Sequence, residues 1–241
     1  MSNTKQGGVV TYNIKANGSD IPGAYQVYSI HIEQTINRMS TATITLLDGD
    51  PAKGSFAISA SATFVPGSEI SIEAGYDSSN TLLFSGIVTK QSIRAGNATG
   101  AMLEIECKDK AIKMTVGRKS AAYSKTKDSD AISTLIGNAS GLSADVTATS
   151  VELPELVQYY VTDWDFMLAR AEVNGMVVST INNKVAVFNP TSDTSSVLTL
   201  TYGDNLFSIN TELNAITQLP QVTASAWDYQ NQELINAQAP N

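Results

Sequence analysis

The sequence predicts a mainly β protein with a minor α+β part. Apolar and polar residues alternate with a period of two through much of the first half of the chain, which is typical of strands with one buried face. Turn-forming pairs such as Asn17-Gly18 and Pro66-Gly67 separate the alternating runs. After Lys127 the spacing of apolar residues becomes helical, so we expect helices only in the second half of the chain.

Five of the alternating runs define predicted inward faces. These faces consist of Val10, Tyr12 and Ile14; Tyr28, Ile30 and Ile32; Ala42, Ile44 and Leu46; Ile70, Ile72, Ala74 and Tyr76; and Leu103, Ile105 and Cys107. A longer run, TLLFSGIVTKQSIRA, is apolar on both sides, and we expect a doubly buried strand bent at Gly86. Five or six strands within about 115 residues predict a barrel or a sandwich.

Two helices are predicted to follow these strands. The first lies in KDSDAISTLIGNASGL, with Asp128 or Ser129 as its N-cap and Gly141 as its stop. The second begins at Thr162, whose hydroxyl fits a capping box with the carboxylate of Asp165. The next stretch, DVTATSVELPELVQYYV, separates the two helices and is interpreted as a polar connector.

The remaining elements are predicted from turn and alternation signals. Val161 and Phe166 occupy the two hydrophobic-staple positions of the second helix, and Gly175 suits its end. A hairpin follows, with its turn at Asn182-Asn183. Beyond Pro190, VLTLTYGDNL and QVTASAWDYQ look like strands, whereas the polar terminus NQELINAQAPN is expected to be a loose end or a linker.

Composition narrows the functional class. The 241 residues carry a net charge of −8 with a pI near 4.6, which argues against a general nucleic-acid binder. Cys107 is the only cysteine, so no intrachain disulfide can form. No apolar run reaches the ~18 residues of a membrane helix, and the N-terminus lacks the apolar core of a secretion signal. We expect cytoplasmic folding and no membrane insertion of this segment.

The stretch TDWDFMLARAEVNGMVV holds the strongest candidates for an acidic catalytic site. Asp163, Asp165 and Glu172 could act as a general acid and base if they shared a cleft. Asp163 and Asp165 are spaced i,i+2, however, and therefore do not share a helical face. Both belong to the first turn, where each negative charge favours the helix dipole by ~0.3–1 kcal/mol. This structural explanation suffices, and we predict a helix start here.

Other catalytic and metal-binding motifs are weak. His31 is the only histidine and lies on the outward side of a predicted strand, whereas Cys107 fits a small core residue. The chain contains no CxxC, HExxH or P-loop lysine motif. DGDPAKG lacks the spacing and terminal glutamate of a calcium loop, and a turn is the better interpretation. We therefore predict no catalytic, cofactor-binding or metal-binding residue, and no cofactor.

Positive charge is concentrated in one segment of this acidic chain. Seven of the fifteen basic residues are Lys108, Lys110, Lys113, Arg118, Lys119, Lys125 and Lys127. A solvated connector between two domains explains this segment without a function. Alternatively, it forms a basic edge that docks an acidic neighbouring protein.

Several phrases of the sequence resemble one protein family. The most specific are TDWDFMLARAEVNG, the G-x-I/V phrase at Gly86 to Val88, and CKDKAIKMTVGRKS. From about Tyr25 to Trp227 the chain resembles the N-terminal hub portion of the VgrG family, which includes Rhs-element Vgr proteins and phage late-control D proteins. Within that family it looks most like spike-hub proteins of phage-tail-like contractile injection systems, a group that includes type VI secretion.

The resemblance implies a phage baseplate-hub-like architecture. Residues 1–120 would form a first β-barrel, residues 121–190 an inserted mixed α/β domain, and residues 191–241 the start of a second barrel with the C-terminal tail. It also implies a structural role that links an inner tube to a spike. Expected partners are two further copies in a homotrimer, tube proteins, and spike-tip, baseplate or effector proteins. Such a protein is assembled in the cytoplasm and becomes part of a secreted or extracellular particle.

The sequence departs from the full family pattern, and two other functions compete with the hub. The chain ends early in the expected second barrel, and the downstream β-helical needle is absent from it. A carbohydrate-binding β module would use exposed aromatics such as Tyr159, Tyr160, Trp227 and Tyr229, although core packing is expected for Tyr159 and Tyr160. A hydrolase would use the carboxylates around Trp164.

Overall fold

The computed structural model describes residues 8–50, 52–96, 100–190, 195–196, 198–206, 208–213, 215 and 219–240. The chain divides into two compact units, Met1–Asp193 and Thr194–Asn241. The three-part division predicted from the sequence, with boundaries at 120 and 190, stays a prediction.

The first unit begins with a seven-stranded sheet. Its strands are β1 (Val10–Ala16), β2 (Ser19–Asp20), β3 (Val27–Glu33), β4 (Thr41–Leu47), β5 (Glu69–Tyr76), β6 (Ser79–Gly96) and β7 (Gly100–Lys108). The spatial order is β2-β1-β5-β6-β7-β4-β3, and all pairs are antiparallel. Within the part of the chain that the structure describes, β2 and β3 are edge strands, so backbone hydrogen bonds do not close this sheet into a barrel.

One apolar core lies against the sheet. Its buried members are Ile14, Ala16, Ala42, Ile44, Leu46, Ile58, Phe64, Ile70, Ile72, Phe84, Val88, Leu103, Ile105 and Cys107. The predicted inward faces of β4 and β7 are therefore confirmed. Tyr28 was assigned wrongly, because a register shift between Val27 and Ser29 reverses the alternation and leaves Tyr28 67% exposed.

Strand β6 is buried on one face only, so the prediction of a doubly buried strand was wrong. Phe84 and Val88 are in the core, whereas Leu83 is exposed. Gly86 is required for a different reason from a bend. A Cβ at this position would lie 2.2 Å from the carbonyl oxygen of Lys108 on β7, so only glycine permits this close approach of the two strands.

A mixed α+β part follows the sheet within the same unit. It consists of a 3-10 helix (Lys110–Thr115), β8 (Lys119–Lys127), α1 (Asp128–Asn138), β9 (Ser143–Val146), β10 (Glu152–Val161), α2 (Asp163–Val173), β11 (Val177–Ile181) and β12 (Lys184–Phe188). Strands β8 and β10 form an antiparallel ribbon, and β12 pairs with β11 antiparallel and with β9 parallel. The predicted polar connector before α2 is therefore mostly strand.

The mixed part has its own apolar core, which the two helices share with the strands. Its buried members are Ala111, Met114, Ala131, Ile132, Leu135, Ile136, Leu156, Trp164, Phe166, Met167, Ala171, Val178, Val185 and Val187. The hairpin turn at Asn182-Asn183 is confirmed, since both residues have positive φ, at 53° and 66°, as the turn that suits twisted strands requires.

The N-cap prediction for α1 was wrong. Lys127 is the cap residue and makes no side-chain cap hydrogen bond. The carboxylate of Asp128 bonds instead to Arg170 on α2, because an ion pair between helices competes with capping for the same side chain. Gly141 does adopt a left-handed conformation, at φ +85°, shortly after the helix ends.

Several polar contacts join the sheet to the mixed part. Asn37 exchanges two hydrogen bonds with Val178, at 2.7 and 2.8 Å. Ser40 and Thr180 bond to each other through backbone and side-chain atoms. The buried Asp109 accepts hydrogen bonds from the backbone N–H groups of Ala111 and Asn183. These contacts fix the β3–β4 connection and the β11–β12 hairpin against each other.

The second unit contains a hairpin of β13 (Gln221–Asp228) and β14 (Glu233–Pro240). The strand predicted in QVTASAWDYQ is confirmed. The expected loose end at NQELINAQAPN was wrong, because residues 233–240 pair fully with β13. No strand forms at VLTLTYGDNL within the described residues 198–206, where Tyr202 and Leu206 make only an isolated bridge; Val197 lies outside the described residues.

Candidate assembly and binding surfaces

Helix α2 begins and ends as its sequence predicts. The backbone N–H of Asp165 donates to the Thr162 hydroxyl at 3.1 Å, and that hydroxyl donates to the Asp165 carboxylate at 2.7 Å. At the other end, Gly175 has φ +66°, and the N–H of Met176 bonds back to Ala171. This is a Schellman C-terminus. The Thr162 hydroxyl therefore caps the helix as predicted, and the Asp165 carboxylate bonds to that hydroxyl.

Asp163 has a second role that the sequence did not predict. It is only 5% exposed, and its carboxylate contacts Lys119 on β8 at 2.5 Å and accepts from Gln158 on β10 at 2.9 Å. Gln158 accepts in turn from the Tyr123 hydroxyl at 3.2 Å. Burial, and then the charge of Asp163, raises the pKa of Tyr123, so the phenol stays a neutral donor. The network ties the start of α2 to the β8–β10 ribbon.

A second buried pair joins the two helices. Arg170 donates to Asp128 from Nε at 2.6 Å and from Nη2 at 2.9 Å, and Asn174 adds a third hydrogen bond at 2.9 Å. The Arg170 hydrogen bonds hold the pKa of Asp128 below its usual value. This fork-to-fork geometry is the strongest form of a carboxylate–guanidinium contact.

The hydrolase candidates do not converge. Asp163 is paired with Lys119, Asp165 with Thr162, and Glu172 is exposed on the last turn of α2. Acid–base catalysis needs two carboxylates with separated pKa values in one cleft, whereas Asp163 and Asp165 face different partners and Glu172 is exposed at the other end of the helix. We therefore interpret them as structural.

Three further candidates from the sequence also have structural explanations. His31 is exposed on edge strand β3. Cys107 is buried in the sheet core, and burial raises its pKa to about 12, so the thiolate nucleophile is suppressed. In DGDPAKG, Asp48 accepts from the backbone N–H groups of Ile58 and Ser59 and thereby anchors the following loop; Pro51 lies outside the described residues. Over the described ranges, no three acidic, histidine or cysteine side chains group closely enough to hold a metal ion.

Much of the basic segment is engaged within the chain. Lys110 pairs with Glu69 at 2.6 Å, which lowers the pKa of Glu69. Lys113 donates to Ser140, and Lys119 pairs with Asp163 as described above. The segment forms the 3-10 helix and β8, so a solvated connector describes it poorly. The basic docking edge stays a proposal, with fewer free charges than the sequence suggested.

The outer face of the β8–β10 ribbon carries exposed aromatic and apolar side chains among polar ones. Tyr159 is 82% exposed and Tyr160 64% exposed, so the expectation that they pack in the core was wrong. Leu156 and Gln158 point inward, and a register shift between Gln158 and Val161 turns Tyr160 outward with φ +47°. The guanidinium of Arg118 lies 5.3 Å from the centre of the Tyr160 ring. Exposed aromatic side chains are enriched in contact surfaces.

Two open grooves mark the surface of the first unit. One, of about 560 Å³, lies between the loop after β4 and the distal half of β6 and is lined by Phe56, Gln91 and Ile93 among others. The other, of about 330 Å³, lies where the sheet meets the mixed part and includes Arg38, Lys108 and Trp164. No pattern in the sequence predicts the second groove, because its residues come from segments far apart in the chain.

The comparisons with known proteins place this fold among phage tail proteins. The family model described as the Alg8 N-terminal domain matches residues 6–241. No curated protein sequence matches the chain. The fold is similar to the 43 kDa tail protein of prophage MuSo2 from Shewanella oneidensis, with a TM-score of 0.68 at 11% identity over 97% of this chain and 69% of that one.

Two secretion-related structures share the fold. One is the E. coli c3393 protein, described as a component of the type VI secretion system similar to T4 tail proteins gp27 and gp5; its TM-score is 0.56 at 12% identity, over 90% of this chain and 56% of that one. The other is the Francisella PdpA–VgrG complex, with a TM-score of 0.50 at 13% identity, over 94% of this chain and 35% of that chain. Across the described residues, no helix has the length and apolar character needed to cross a bilayer.

Proposed function

The chain belongs to the family of the Alg8 N-terminal domain, and from its similarity to phage tail proteins we propose that it is a structural hub or spike-base component of a contractile injection apparatus. In this role it links an inner tube to a spike in a type VI secretion or phage-tail-like particle. The observation that carries the proposal is the extent of the fold similarity, which covers 97% of this chain in the MuSo2 tail protein.

The arrangement of the site supports a scaffold in preference to an enzyme. Asp163 and Asp165, the carboxylates on either side of Trp164, each have a structural explanation, and the one thiol is buried with a raised pKa. The first unit presents an open edge at β3 and an exposed aromatic face on the β8–β10 ribbon. Open edges and apolar faces are what a subunit uses to contact its neighbours. We accordingly propose that the protein has no catalytic activity.

The proposed partners follow from the VgrG-like resemblance. They are further copies in a homotrimer, inner-tube proteins, and spike-tip, baseplate or effector proteins, assembled in the cytoplasm for a secreted or extracellular particle. The stretch TDWDFMLARAEVNG and the fold shared with the PdpA–VgrG complex support these partners.

Solution mass and co-purification test the proposal. We expect the chain, co-expressed with tube and spike proteins of a contractile injection apparatus, to co-purify with them and to have the mass of a trimer by light scattering. Replacing Val157 and Tyr159 by Ser on the outer ribbon face should weaken that assembly without lowering the unfolding midpoint, because both side chains are exposed. A matched double substitution away from the ribbon, Val10→Ser with Tyr76→Ser, changes two similarly exposed side chains on β1 and β5 and provides the control. A strict monomer that retains none of these proteins contradicts the proposal.

Exposed aromatics favour one alternative function. Tyr159 and Tyr160 in the first unit, and Trp227 and Tyr229 in the second, are each more than half exposed and could stack on sugar rings in a carbohydrate-binding module. A glycan array distinguishes the two functions. Saturable binding that is lost in Tyr159→Ser would favour the carbohydrate module, and a blank array would remove it.

A further inference from the structure

The groove between the sheet and the mixed part is built from four separate segments. Asn37, Arg38 and Met39 come from the β3–β4 connection, Lys108 ends β7, Ile112 belongs to the 3-10 helix, and Trp164 lies in the first turn of α2. Thr41 and Thr115 complete the lining. The volume of about 330 Å³ is at the small end of the range for ligand sites, so it suits one or two side chains of a bound segment.

The walls of the groove are held in place before anything binds. The β3–β4 connection is fixed by the two Asn37–Val178 hydrogen bonds. The 3-10 helix is fixed by Asp109, which caps it through the N–H of Ala111 and also accepts from Asn183. Preorganised walls lower the entropic cost of binding, which distinguishes this groove from a chance depression of the surface.

Two of the polar side chains that line the groove, Arg38 and Lys108, carry positive charge. The described residues offer no carboxylate to Arg38 or Lys108, whereas the other charges nearby are paired: Glu106 with Lys90, and Asp163 with Lys119. No described residue accepts a hydrogen bond from the indole N–H of Trp164. Two unpaired cations in one groove of a chain with net charge −8 attract an anion.

The floor of the groove is apolar. Met39, Ile112 and the largely buried Trp164 line it. An inorganic anion would gain nothing from this floor, whereas a peptide could place a carboxylate on the cations and an apolar side chain on the indole. The acidic charge of the whole chain opposes nucleic acid.

We propose that the groove lined by Arg38, Lys108 and Trp164 binds an acidic segment of a partner protein, with a carboxylate on the two cations and an adjacent apolar side chain on Trp164. The contact does not depend on the hub assignment, because it follows from the groove alone. Recognition of acidic motifs by clustered cations is a common mode of peptide binding.

Trp164 provides the test. In a Trp227→Phe background it is the only tryptophan, so its fluorescence reports on the groove. The probes are a short peptide with one leucine flanked by glutamates, the same peptide with glutamines, a single-stranded oligonucleotide and inorganic phosphate. We expect saturable binding of the glutamate peptide, affinity lower by at least about tenfold for the glutamine peptide, and weakening by rising salt.

Charge reversals then locate the site. Arg38→Glu and Lys108→Glu should each lower the affinity for the glutamate peptide by about tenfold. Lys125→Glu, an equal change of charge at an exposed residue outside the groove lining, should change affinity by less than about twofold. If a charge reversal lowers the unfolding midpoint, the neutral variants Arg38→Gln and Lys108→Gln are used instead. Glutamine keeps most of the side-chain stem.

Four results would overturn the proposal. They are the absence of saturable binding, equal binding of the glutamine peptide, equal loss of affinity in Lys125→Glu, and binding of the oligonucleotide or phosphate as tight as that of the acidic peptide. The last result would identify a general anion site. None of them bears on trimer mass or tube co-purification, so failure here is distinguishable from failure of the proposed hub function.

Discussion

Replacing Arg170 by Met should destabilise the first unit strongly. The side chain of Asp128 is 9% exposed, and two of its three side-chain hydrogen bonds come from Arg170. Met preserves much of the volume but removes the guanidinium, so the carboxylate keeps only the amide of Asn174. Removing one partner of a buried ion pair leaves an uncompensated charge and costs about 3 kcal/mol of unfolding free energy.

The unfolding free energy lost in Arg170→Met should depend on pH in a defined direction. Arg170 holds the pKa of Asp128 below its ordinary value, so the ion pair stabilises the folded state when the pH is above the ordinary Asp pKa of about 3.9. This stabilisation disappears as the pH falls through the lowered pKa, because Asp128 is then protonated. The difference between wild type and Arg170→Met should therefore be full near neutral pH and shrink below about pH 4.

Urea unfolding followed by Trp164 fluorescence, again with Trp227→Phe, measures this difference. Arg94→Met is the matched control: its pair with Glu104 is 3.6 Å long and Arg94 is 79% exposed, so it should cost less than about 0.5 kcal/mol. The double variant Asp128→Asn with Arg170→Met should lose less unfolding free energy than Arg170→Met alone, since no charge then remains buried. An Arg170→Met cost as small as that of the control, or one that stays constant down to acidic pH, would refute the reasoning.

Three local features give further predictions. Thr162→Ala should lower the unfolding free energy by about 1 kcal/mol, whereas Thr162→Ser should retain most of it, because the hydroxyl caps α2; thermal unfolding measures both. Gly86→Ala should cost at least about 2 kcal/mol, because the added Cβ meets the Lys108 carbonyl. Gly137→Ala, inside α1 with open space around the added Cβ, should stabilise by about 0.5–1 kcal/mol, and similar melting shifts for both glycine variants would contradict this contrast. Cys107 should resist thiol reagents in the folded protein and react only on unfolding, since it is buried with a pKa of about 12; rapid labelling of native protein would contradict its placement.

The N-cap and the end of α2 and the turn after β11 were predicted correctly from the sequence, because each depends on a single residue type and on nearby backbone geometry. Thr162 caps α2, Gly175 ends it, and Asn182-Asn183 turns the hairpin, because each depends on backbone geometry within a few residues. The inward faces of β4 and β7 also followed from simple alternation.

Predictions of which side chains point inward were wrong where the pairing register of two strands shifts. A single irregularity moves every following side chain to the other face of a strand. The shift after Val27 therefore exposes Tyr28, and the shift after Gln158 contributes to the exposure of Tyr160. The N-cap of α1 failed for another reason, because Arg170, distant in sequence, takes the carboxylate of Asp128.

By itself, the sequence determined the fold class, the start and end of α2, and the absence of a recognisable catalytic motif, because periodicity and capping act over short stretches of chain. Only the tertiary structure decided which charges are paired, which aromatics are exposed, and that Arg38, Lys108 and Trp164 line one groove. Those properties depend on contacts between segments far apart in the chain, and no local pattern of residues specifies them.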